Sequence, residues 1–502
     1  MPSLPAADPA DDRRGALRWG ALLSLLAFLT AASPLDDLPH VTDEVSYTLQ
    51  ARLFAQGLRV GPPAEDPSRL LYPFWVSDPV SHSPFPPGWP ALLALGEALG
   101  AGLLVNPLLA FFLPGLAGQL GGALGLDTAG RRLCQAAMAL SPGVWVLAAS
   151  RMAHTSVLLA LGLCALALLR RPAWLGLPLA YVVLARPFDA LLIGGPLLLV
   201  GLVRAPRAAP AMLGPPLVAA GLLGLDNLAL TGSPWTFPMD PWFDQWIDPP
   251  ALPGCNRLGF GEDRGCAAIL GSVGHSPEKA LRLMGDSLLR LDRLLLGLPG
   301  FGLLALAGAL RLRRAAPFLL LGLLLGGYAL YWSPGMAYGA RFYHPAYLLL
   351  PACLAAALAP LGPRLGLAAL ALPVMISIGP IWRDLGSGYW CVDGEVRDLL
   401  AANGIVEGTV FVGASGSVDR AWPALGVEAF TCDPTLEAGD AFALADPGPA
   451  ARLRLRYAPP NGEAARAWLS AHPPASPAWV LLQDLSAGGP RRLQRVDRAD
   501  PP

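Results

Sequence analysis

Long apolar runs, separated by short breaks that carry arginine, proline or glycine, fill the first three quarters of the chain. A helix needs about 20 mostly apolar residues to cross the roughly 30 Å hydrocarbon core of a bilayer. The pattern therefore predicts about eleven membrane-spanning helices. They cover residues 17–35, 104–124, 133–149, 155–170, 173–185, 188–203, 211–230, 294–310, 316–332, 344–360 and 364–381.

The stretch 173–203 fits this pattern least well, because Arg186, Pro187 and Asp189 interrupt it and leave two short halves. It predicts either a helical hairpin or one broken helix. The two readings change the number of spans by one.

Arginines at alternate boundaries between the runs set the expected orientation, because positive charge in short loops stays on the cytoplasmic side. The N-terminus is then inside, and the loops 36–103 and 231–293 and the tail lie outside. The first apolar run lacks a small-residue cleavage motif, so no cleavable signal peptide is expected. The arginines are Arg13, Arg14, Arg18, Arg131, Arg132, Arg170, Arg171, Arg204, Arg207, Arg311, Arg313, Arg314 and Arg364.

The first outer loop, 36–103, contains two shorter periodic segments. Apolar residues recur at helical spacing between 43 and 56, which predicts an amphipathic helix on the membrane surface, with Thr42 as N-cap and Gly57 as stop. A proline-rich stretch then leads into a second short helix of about 91–103. Both are expected to be interfacial.

The chain changes character after residue 381, where it becomes polar and has no further spans. Residues 393–403 read as a helix, and 408–413 and 478–482 as strands. The predicted organisation is a cytoplasmic tail (1–16), a transmembrane module (17–381) and a small extracytoplasmic α/β domain (382–502).

Composition supports an integral membrane protein: 54% of the 502 residues are hydrophobic, 15% are charged, and the mean hydropathy is +0.46. The net charge of −1 argues against a nucleic-acid partner, which would need a basic surface. The inner membrane is the expected location.

Four of the seven cysteines lie in segments expected to be outside, where disulfides persist. The natural pairs are Cys255 with Cys266 and Cys391 with Cys432, and four free thiols are the alternative. No spacing of cysteine and histidine suggests a zinc site.

The outer face gathers residues that suit group transfer from a lipid phosphate. Carboxylates can deprotonate an acceptor hydroxyl, and arginines bind phosphate and stabilise it as a leaving group. Blander readings are helix capping for the carboxylates, snorkelling for Arg151 and Arg186, and a structural role for His154. The residues are Asp43, Glu44, His82, Arg151, His154, Arg186, Arg341 and Tyr343.

Five segments resemble the GT-C membrane glycosyltransferases, the superfamily that contains protein O-mannosyltransferases and the aminoarabinose transferase of lipid A. The resemblance covers residues 17 to about 381. The segments are HVTDEVSYTLQARLFAQG, SHSPFPPGWPALL, SPGVWVLAASRMAH, LARPFDALL and GARFYHPAYLLLP.

The resemblance implies an α-helical GT-C-like fold and transfer of a sugar from a polyprenyl-phosphate donor to a lipid, glycan or protein acceptor at the outer face. Asp43 would activate the acceptor with Glu44 beside it, His82 would be a polar residue before the loop prolines, and Arg341 would meet the lipid phosphate.

One departure concerns the second outer loop, where many relatives carry an acidic residue and this chain offers Arg151 and His154. Two hard-cation ligands from separate loops are then lacking. The expectation is an inverting transferase without metal or other cofactor.

Two other classes compete with this hypothesis. A transporter or flippase of a lipid-linked or anionic substrate would show internal repeats and polar groups near mid-membrane, whereas the polar groups here gather on one face. A non-catalytic envelope assembly protein would keep the fold and use its tail to bind partners.

Overall fold

A computed structural model describes most of the chain. The residues that it describes are 9–63, 74–76, 79–246, 254–266, 274–333, 335–392, 394–405, 408–415, 418–432, 453–457, 478–484 and 492–496.

Helices dominate the described part of the chain. They are α1 (Pro9–Ala32), α2 (Thr42–Ala55), α3 (Gly88–Glu97), α4 (Val105–Ala110), α5 (Leu113–Ala123), α6 (Thr128–Leu140), α7 (Pro142–Ala149), α8 (His154–Arg170), α9 (Gly176–Ala185), α10 (Pro187–Arg204), α11 (Ala209–Thr231), α12 (Met239–Trp246), α13 (Pro277–Leu296), α14 (Phe301–Leu312), α15 (Ala316–Tyr328), α16 (Leu350–Leu358), α17 (Gly362–Gly386) and α18 (Glu395–Ala402).

Within the described ranges, five helical segments are long and apolar enough to cross a bilayer, and a sixth arises if the bent pair α13 and α14 counts as one span. Three apolar helices, at 154–170, 172–185 and 316–328, are shorter. These helices are compatible with the predicted membrane protein. The number eleven stays a prediction.

The helix α2 differs from the expected surface helix. Its residues from Asp43 to Ala51 are all buried within the protein, so it has no polar face toward solvent. Its N-cap is Val41 rather than Thr42, and Gly57 follows its end with a φ of +76°. The expectation of an amphipathic surface helix with a polar face is therefore wrong, because α3 and Trp75 pack against α2. Its position at the membrane interface stays a prediction.

The interrupted stretch 173–203 forms a hairpin. The chain turns at Arg186 (φ −147°, ψ 80°), and the two arms then run side by side. A Cβ at Gly194 on α10 would overlap the side chain of Leu179 on α9, and a Cβ at Gly201 would lie 3.6 Å from that of Leu175. In each pair one residue precedes Arg186 and the other follows it, and the second pair lies farther from Arg186 in sequence than the first. The two arms therefore pack along each other, which excludes a single broken helix.

The predicted span 294–310 is displaced. Residues 294–296 end α13, and α14 begins only at Phe301 after a bend of 86°. Gly297 (φ +85°) and Gly300 (φ +101°) provide the left-handed backbone that ends the first helix and redirects the chain.

Small residues let the membrane helices approach closely. Gly308 on α14 faces the backbone carbonyl of Cys353 on α16, where a Cβ would overlap the oxygen. All eight residues of α7 are buried, and α7 packs against α1 and α4 at the centre of the bundle. Close contact of this kind replaces the hydrophobic driving force that is missing between helices in lipid.

The described residues of the tail form six strands: β1 (Gly408–Ser415), β2 (Val418–Trp422), β3 (Val427–Cys432), β4 (Leu453–Tyr457), β5 (Ala478–Asp484) and β6 (Arg492–Val496). One sheet has the order β4-β1-β5-β6, with β6 antiparallel to β5 and the other pairs parallel, and β2 pairs with β3. The predicted strands at 408–413 and 478–482 fall on β1 and β5. The independent α/β domain stays a prediction.

The turn Pro423–Leu425 and its neighbours fix the tail to the helices. The backbone N–H of Ala424 donates to Asp384 on α17 (2.6 Å), and Arg290 on α13 donates to the carbonyl of Gly426 (3.1 Å). Trp422 is fully buried and stacks on Trp390 with 5.9 Å between ring centroids.

Two of the cysteine predictions can be compared with the structure. Cys255 and Cys266 form a disulfide, as predicted. Cys391 is also disulfide-bonded. Because the side chain of Cys432 lies outside the described residues, its pairing with Cys391 stays a prediction.

Candidate functional site

The candidate site begins at the first turn of α2. Asp43 and Glu44 are adjacent there, and successive residues on a helix point about 100° apart. Their carboxylates consequently meet different partners, which separates their roles.

Asp43 forms an ion pair with Arg341, with 3.0 Å between Oδ2 and Nη1. Each side chain is 12% exposed, so the pair is largely enclosed but remains accessible from outside. Both are predicted site residues, and the structure brings them together.

Arg341 begins the 3₁₀ helix Arg341–Leu348, and its surroundings leave part of the guanidinium unused. The group lies 5.4 Å from the centroid of the Phe342 ring, and Nη1 is 4.0 Å from the sulfur of Met152. Among the described residues, the buried Nε has no hydrogen-bond partner. Arg341 therefore retains donor capacity for an anion.

Glu44 accepts four hydrogen bonds from three separate segments. Its Oε2 accepts from the backbone N–H groups of His40 and Val41 (3.1 Å each) and from the hydroxyl of Tyr338 (2.6 Å). Its Oε1 accepts from the backbone N–H of Arg151 (2.6 Å). Burial raises the pKa of Glu44, although these hydrogen bonds act in the opposite direction.

Glu44 was predicted as the neighbour of Asp43 in a catalytic carboxylate pair, and that role stays a prediction. Its oxygens accept hydrogen bonds from the protein, and the residue is 1% exposed. These contacts join the start of α2 to the loop after α7 and to the segment before Arg341.

Arg151 lies beside the Asp43–Arg341 pair, and the carboxylate of Asp37 matches its positive charge. Its guanidinium donates to the Asp37 carboxylate (2.6 Å), and its carbonyl accepts from the indole N–H of Trp89 (2.7 Å). The Asp37 side chain is 50% exposed, so this ion pair marks the solvent edge of the site. The predicted residue Arg151 therefore lies near the Asp43–Arg341 pair, with its charge matched by Asp37.

Arg186 is also neutralised, by residues that the break in the α9–α10 hairpin brings together. Its Nε donates to Asp189 (2.5 Å), Nη1 to His154 Nε2 (2.9 Å) and Nη2 to the hydroxyl of Tyr328 (2.9 Å). Tyr328 in turn donates to the second oxygen of Asp189 (2.6 Å). The network holds the hairpin against α8 and α15.

The predicted residue Tyr343 and its neighbour His344 are both buried. His344 is 1% exposed, its ring lies 6.3 Å from that of His154, and neither of its ring nitrogens has a hydrogen-bond partner of ordinary geometry among the described residues. Tyr343 is 3% exposed and packs at 5.7 Å from Tyr328. Burial of this degree favours a packing role for Tyr343 over direct substrate contact.

His82 belongs to a different part of the first outer loop. Its Nδ1 contacts the carbonyl of Ser83 (3.0 Å), and burial lowers its pKa. Its charged neighbours are Arg59 and Asp226, which form a bidentate ion pair (2.5 and 2.6 Å) between this loop and α11. The structure does not bring His82 to the Asp43–Arg341 pair.

Three residues that shape the site are not among the predicted site residues. Tyr338 contacts Glu44, Asp189 neutralises Arg186, and Tyr47 lies one turn after Asp43 on the same face of α2. Burial and, second to it, the nearby Asp43 carboxylate raise the pKa of Tyr47. Only Tyr47 carried a usable signal, namely its i+4 spacing from Asp43.

Within the described residues, no group of three or more histidine, cysteine, aspartate or glutamate side chains is arranged to hold a metal ion. The absence of a metal or cofactor from the reaction stays a prediction. The site combines the partly accessible carboxylate of Asp43 with the guanidinium of Arg341, which has unused donors. The two residues lie where α2, the end of α7 and the segment before α16 meet.

Comparison with protein-family models, with curated proteins and with solved structures gives no match to this chain.

Proposed function

We propose that this protein is a membrane glycosyltransferase that moves a sugar from a polyprenyl-phosphate donor to an acceptor hydroxyl at the outer face of the membrane. The observation that carries the proposal is the enclosed but accessible Asp43–Arg341 pair, 3.0 Å apart. In this pair, a carboxylate that can accept a proton lies next to a guanidinium that can bind a phosphate.

In the proposed reaction the acceptor oxygen attacks the anomeric carbon and forms the new glycosidic bond, while the bond from that carbon to the phosphate oxygen breaks. Asp43 takes the acceptor proton. The electron pair leaves with polyprenyl phosphate, whose charge Arg341 stabilises. Direct displacement of this kind inverts the anomeric configuration.

The ion pair couples donor binding to the activation of the acceptor. A phosphate that binds Arg341 competes with Asp43 for the same guanidinium. Asp43 is then released toward the acceptor when the donor is in place. The donors of Arg341 that are not used by Asp43 are available for the remaining phosphate oxygens.

Arg341 rather than Arg151 or Arg186 is assigned to the phosphate, because it lies beside the proposed base Asp43. All three guanidinium nitrogens of Arg186 already donate to other side chains, and Arg151 pairs with Asp37 at the solvent edge of the site. Arg186 is assigned to positioning, through Tyr328 and His154. Removal of a buried ion-pair partner also leaves an uncompensated charge, so Arg186 is expected to matter for folding as well.

Sugar transfer by the full-length purified protein in nanodiscs, from a panel of polyprenyl-phosphate sugars, tests the proposal. Asp43→Asn keeps the shape but removes the base, and we expect kcat to fall by about 10²–10⁴-fold. Arg341→Lys keeps the charge but loses the fork of donors, and we expect a fall of about 10²–10³-fold.

Asp263→Asn is the matched control, because Asp263 is 55% exposed and pairs only with its neighbour Arg264. It should transfer sugar at the wild-type rate. Full activity of Asp43→Asn would remove Asp43 from the mechanism. No transfer by folded wild-type protein from any donor would favour a transporter or an assembly protein. Transfer that persists in chelator supports the metal-independent route.

A further inference from the structure

A second concavity lies at the opposite end of the helices from Asp43. Its volume is about 720 Å³, and α1, α6 and α17 form its walls. Of these helices, α6 packs against both α1 and α17. Residues that define its character are Arg14, Arg18, Trp19, Leu22, Arg132 and Leu367.

The cavity has a cationic rim. Arg14 and Arg18 stand one turn apart on α1, and Arg132 faces them from the first turns of α6. All three arginines are exposed. Guanidinium groups in this arrangement suit a phosphate, which they bind through paired donors.

Apolar side chains also line the cavity, among them Leu22, Leu133 and Leu367. Leu17 on α1 and Leu365 on α17 are 57% and 65% exposed on the same helices, as expected for side chains that face lipid tails. The cavity therefore offers arginines for a charged head beside apolar surface for an acyl tail.

We propose that this cavity binds an anionic glycerophospholipid, with its phosphate on Arg14, Arg18 and Arg132 and its acyl chains along Leu22 and Leu367. Basic pockets between membrane helices on the cytoplasmic side recognise anionic headgroups in this way. The site is separate from the proposed reaction and holds whether or not the protein transfers sugar. It would fasten α1 to α6 and α17.

Native mass spectrometry of the full-length protein in a mild detergent, with equimolar dioleoyl phosphatidylglycerol and dioleoyl phosphatidylcholine added, tests this site. We expect the wild type to retain phosphatidylglycerol selectively. The double variant Arg18→Gln/Arg132→Gln should retain at least about fivefold less, since each arginine near an anionic headgroup adds to the attraction.

Arg204→Gln/Arg207→Gln is the matched control. It removes two exposed arginines from the boundary of α10 and α11, outside the cavity, and should bind phosphatidylglycerol like the wild type. Equal loss in both double variants would show general electrostatic attraction and overturn the proposal. Equal retention of the two lipids by the wild type would do so as well.

A second variant tests the cavity without changing charge. Ala129 lines the cavity wall, and Ala129→Trp fills part of the space while it keeps every arginine. We expect it to lose phosphatidylglycerol too, and unchanged retention would contradict the assignment. Displacement of the lipid by millimolar glycerol 3-phosphate would show that a soluble anion suffices and would overturn the lipid as ligand.

Discussion

Asp43 and Glu44 are adjacent in sequence and chemically alike, yet the structure gives them different partners. Asp43 faces an accessible arginine, whereas Glu44 is enclosed by four donors. The sequence could locate the carboxylate pair but could not divide its roles, because three of the donors to Glu44 are backbone N–H groups. Backbone groups leave no trace in the pattern of residue types.

The variant Glu44→Gln tests this division through stability. An amide can accept the three hydrogen bonds made by Oε2, but its NH₂ group would then face the backbone N–H of Arg151. We expect an unfolding free energy lower by about 1.5–3 kcal/mol and a larger loss for Glu44→Ala. Chemical denaturation in detergent measures both.

Glu278→Gln serves as the control for that comparison. Glu278 is 75% exposed and pairs with Arg282 one turn later on α13. Its replacement should change stability by less than about 0.5 kcal/mol. If Glu44→Gln proved equally neutral, the four hydrogen bonds would not tie the site together.

His82 gives a pH dependence of stability that is separate from the reaction. Burial holds its pKa below the ordinary value of 6.5. As the pH falls below 6.5, the unfolded chain binds a proton that the folded protein excludes, so stability present above pH 6.5 is lost toward the lower folded pKa. The slope cannot exceed about 1.4 kcal/mol per pH unit for one group.

His82→Asn removes this titration while an amide N–H can still donate to the carbonyl of Ser83. We expect the thermal midpoint of the wild type to fall more steeply than that of the variant between pH 7 and 5. Apparent midpoints in one detergent at matched ionic strength measure the difference. Parallel pH profiles would show that His82 does not titrate in this range.

At the level of the helices, the apolar pattern locates the segments but not how they meet. The hairpin at 173–203 is identified by the contacts of Gly194 and Gly201 in the structure. The sequence could not identify it, since a broken helix has the same apolar pattern. The shift of a predicted span start from 294 to 301 has a similar origin. The apolar residues at the end of α13 pack inside the protein and continue the apolar run without belonging to the next helix.

The contact of α14 with α16 can be tested with a single methyl group. In Gly308→Ala the new Cβ would overlap the carbonyl oxygen of Cys353, which cannot move aside as a side chain could. We expect a loss of about 1–3 kcal/mol from forced separation of the helices. Gly221→Ala on α11 is the control, because no atom lies within 4 Å of its new Cβ.

The control should be neutral or stabilising, since alanine is favoured over glycine within a helix by about 0.5–1 kcal/mol. Unfolding in a graded mixture of detergents reports both variants. A similar response at the two positions would mean that the helices have room at Gly308 and that the close approach does not support the bundle.

At the scale of the whole molecule, two groups of charged residues lie at opposite ends of the helices. Arginines at the start of α1 and of α6 meet beside the first turn of α17 in the cavity proposed for lipid, whereas Asp43, Glu44 and Arg341 lie at the far ends of these helices. The alternation of arginines along the chain predicts the orientation of these two ends, which stays a prediction. It could not predict that the tail, through Trp422 and Tyr389, would contact the segment that holds Tyr338.

The division of charge predicts an orientation that surface labelling can check. Glu278 begins α13 in the large loop expected outside, and Arg207 lies between α10 and α11 at a boundary expected inside. The native cysteines Cys134, Cys164 and Cys353 are buried, so Glu278→Cys and Arg207→Cys each add one exposed thiol. A membrane-impermeant maleimide should label Glu278→Cys in intact cells and Arg207→Cys only after permeabilisation.

Because positive charge stays cytoplasmic, this result would place the Asp43–Arg341 pair at the outer face, where a lipid-linked sugar and a water-borne acceptor can meet. The reverse pattern would place the pair in the cytoplasm and refute transfer at the outer face.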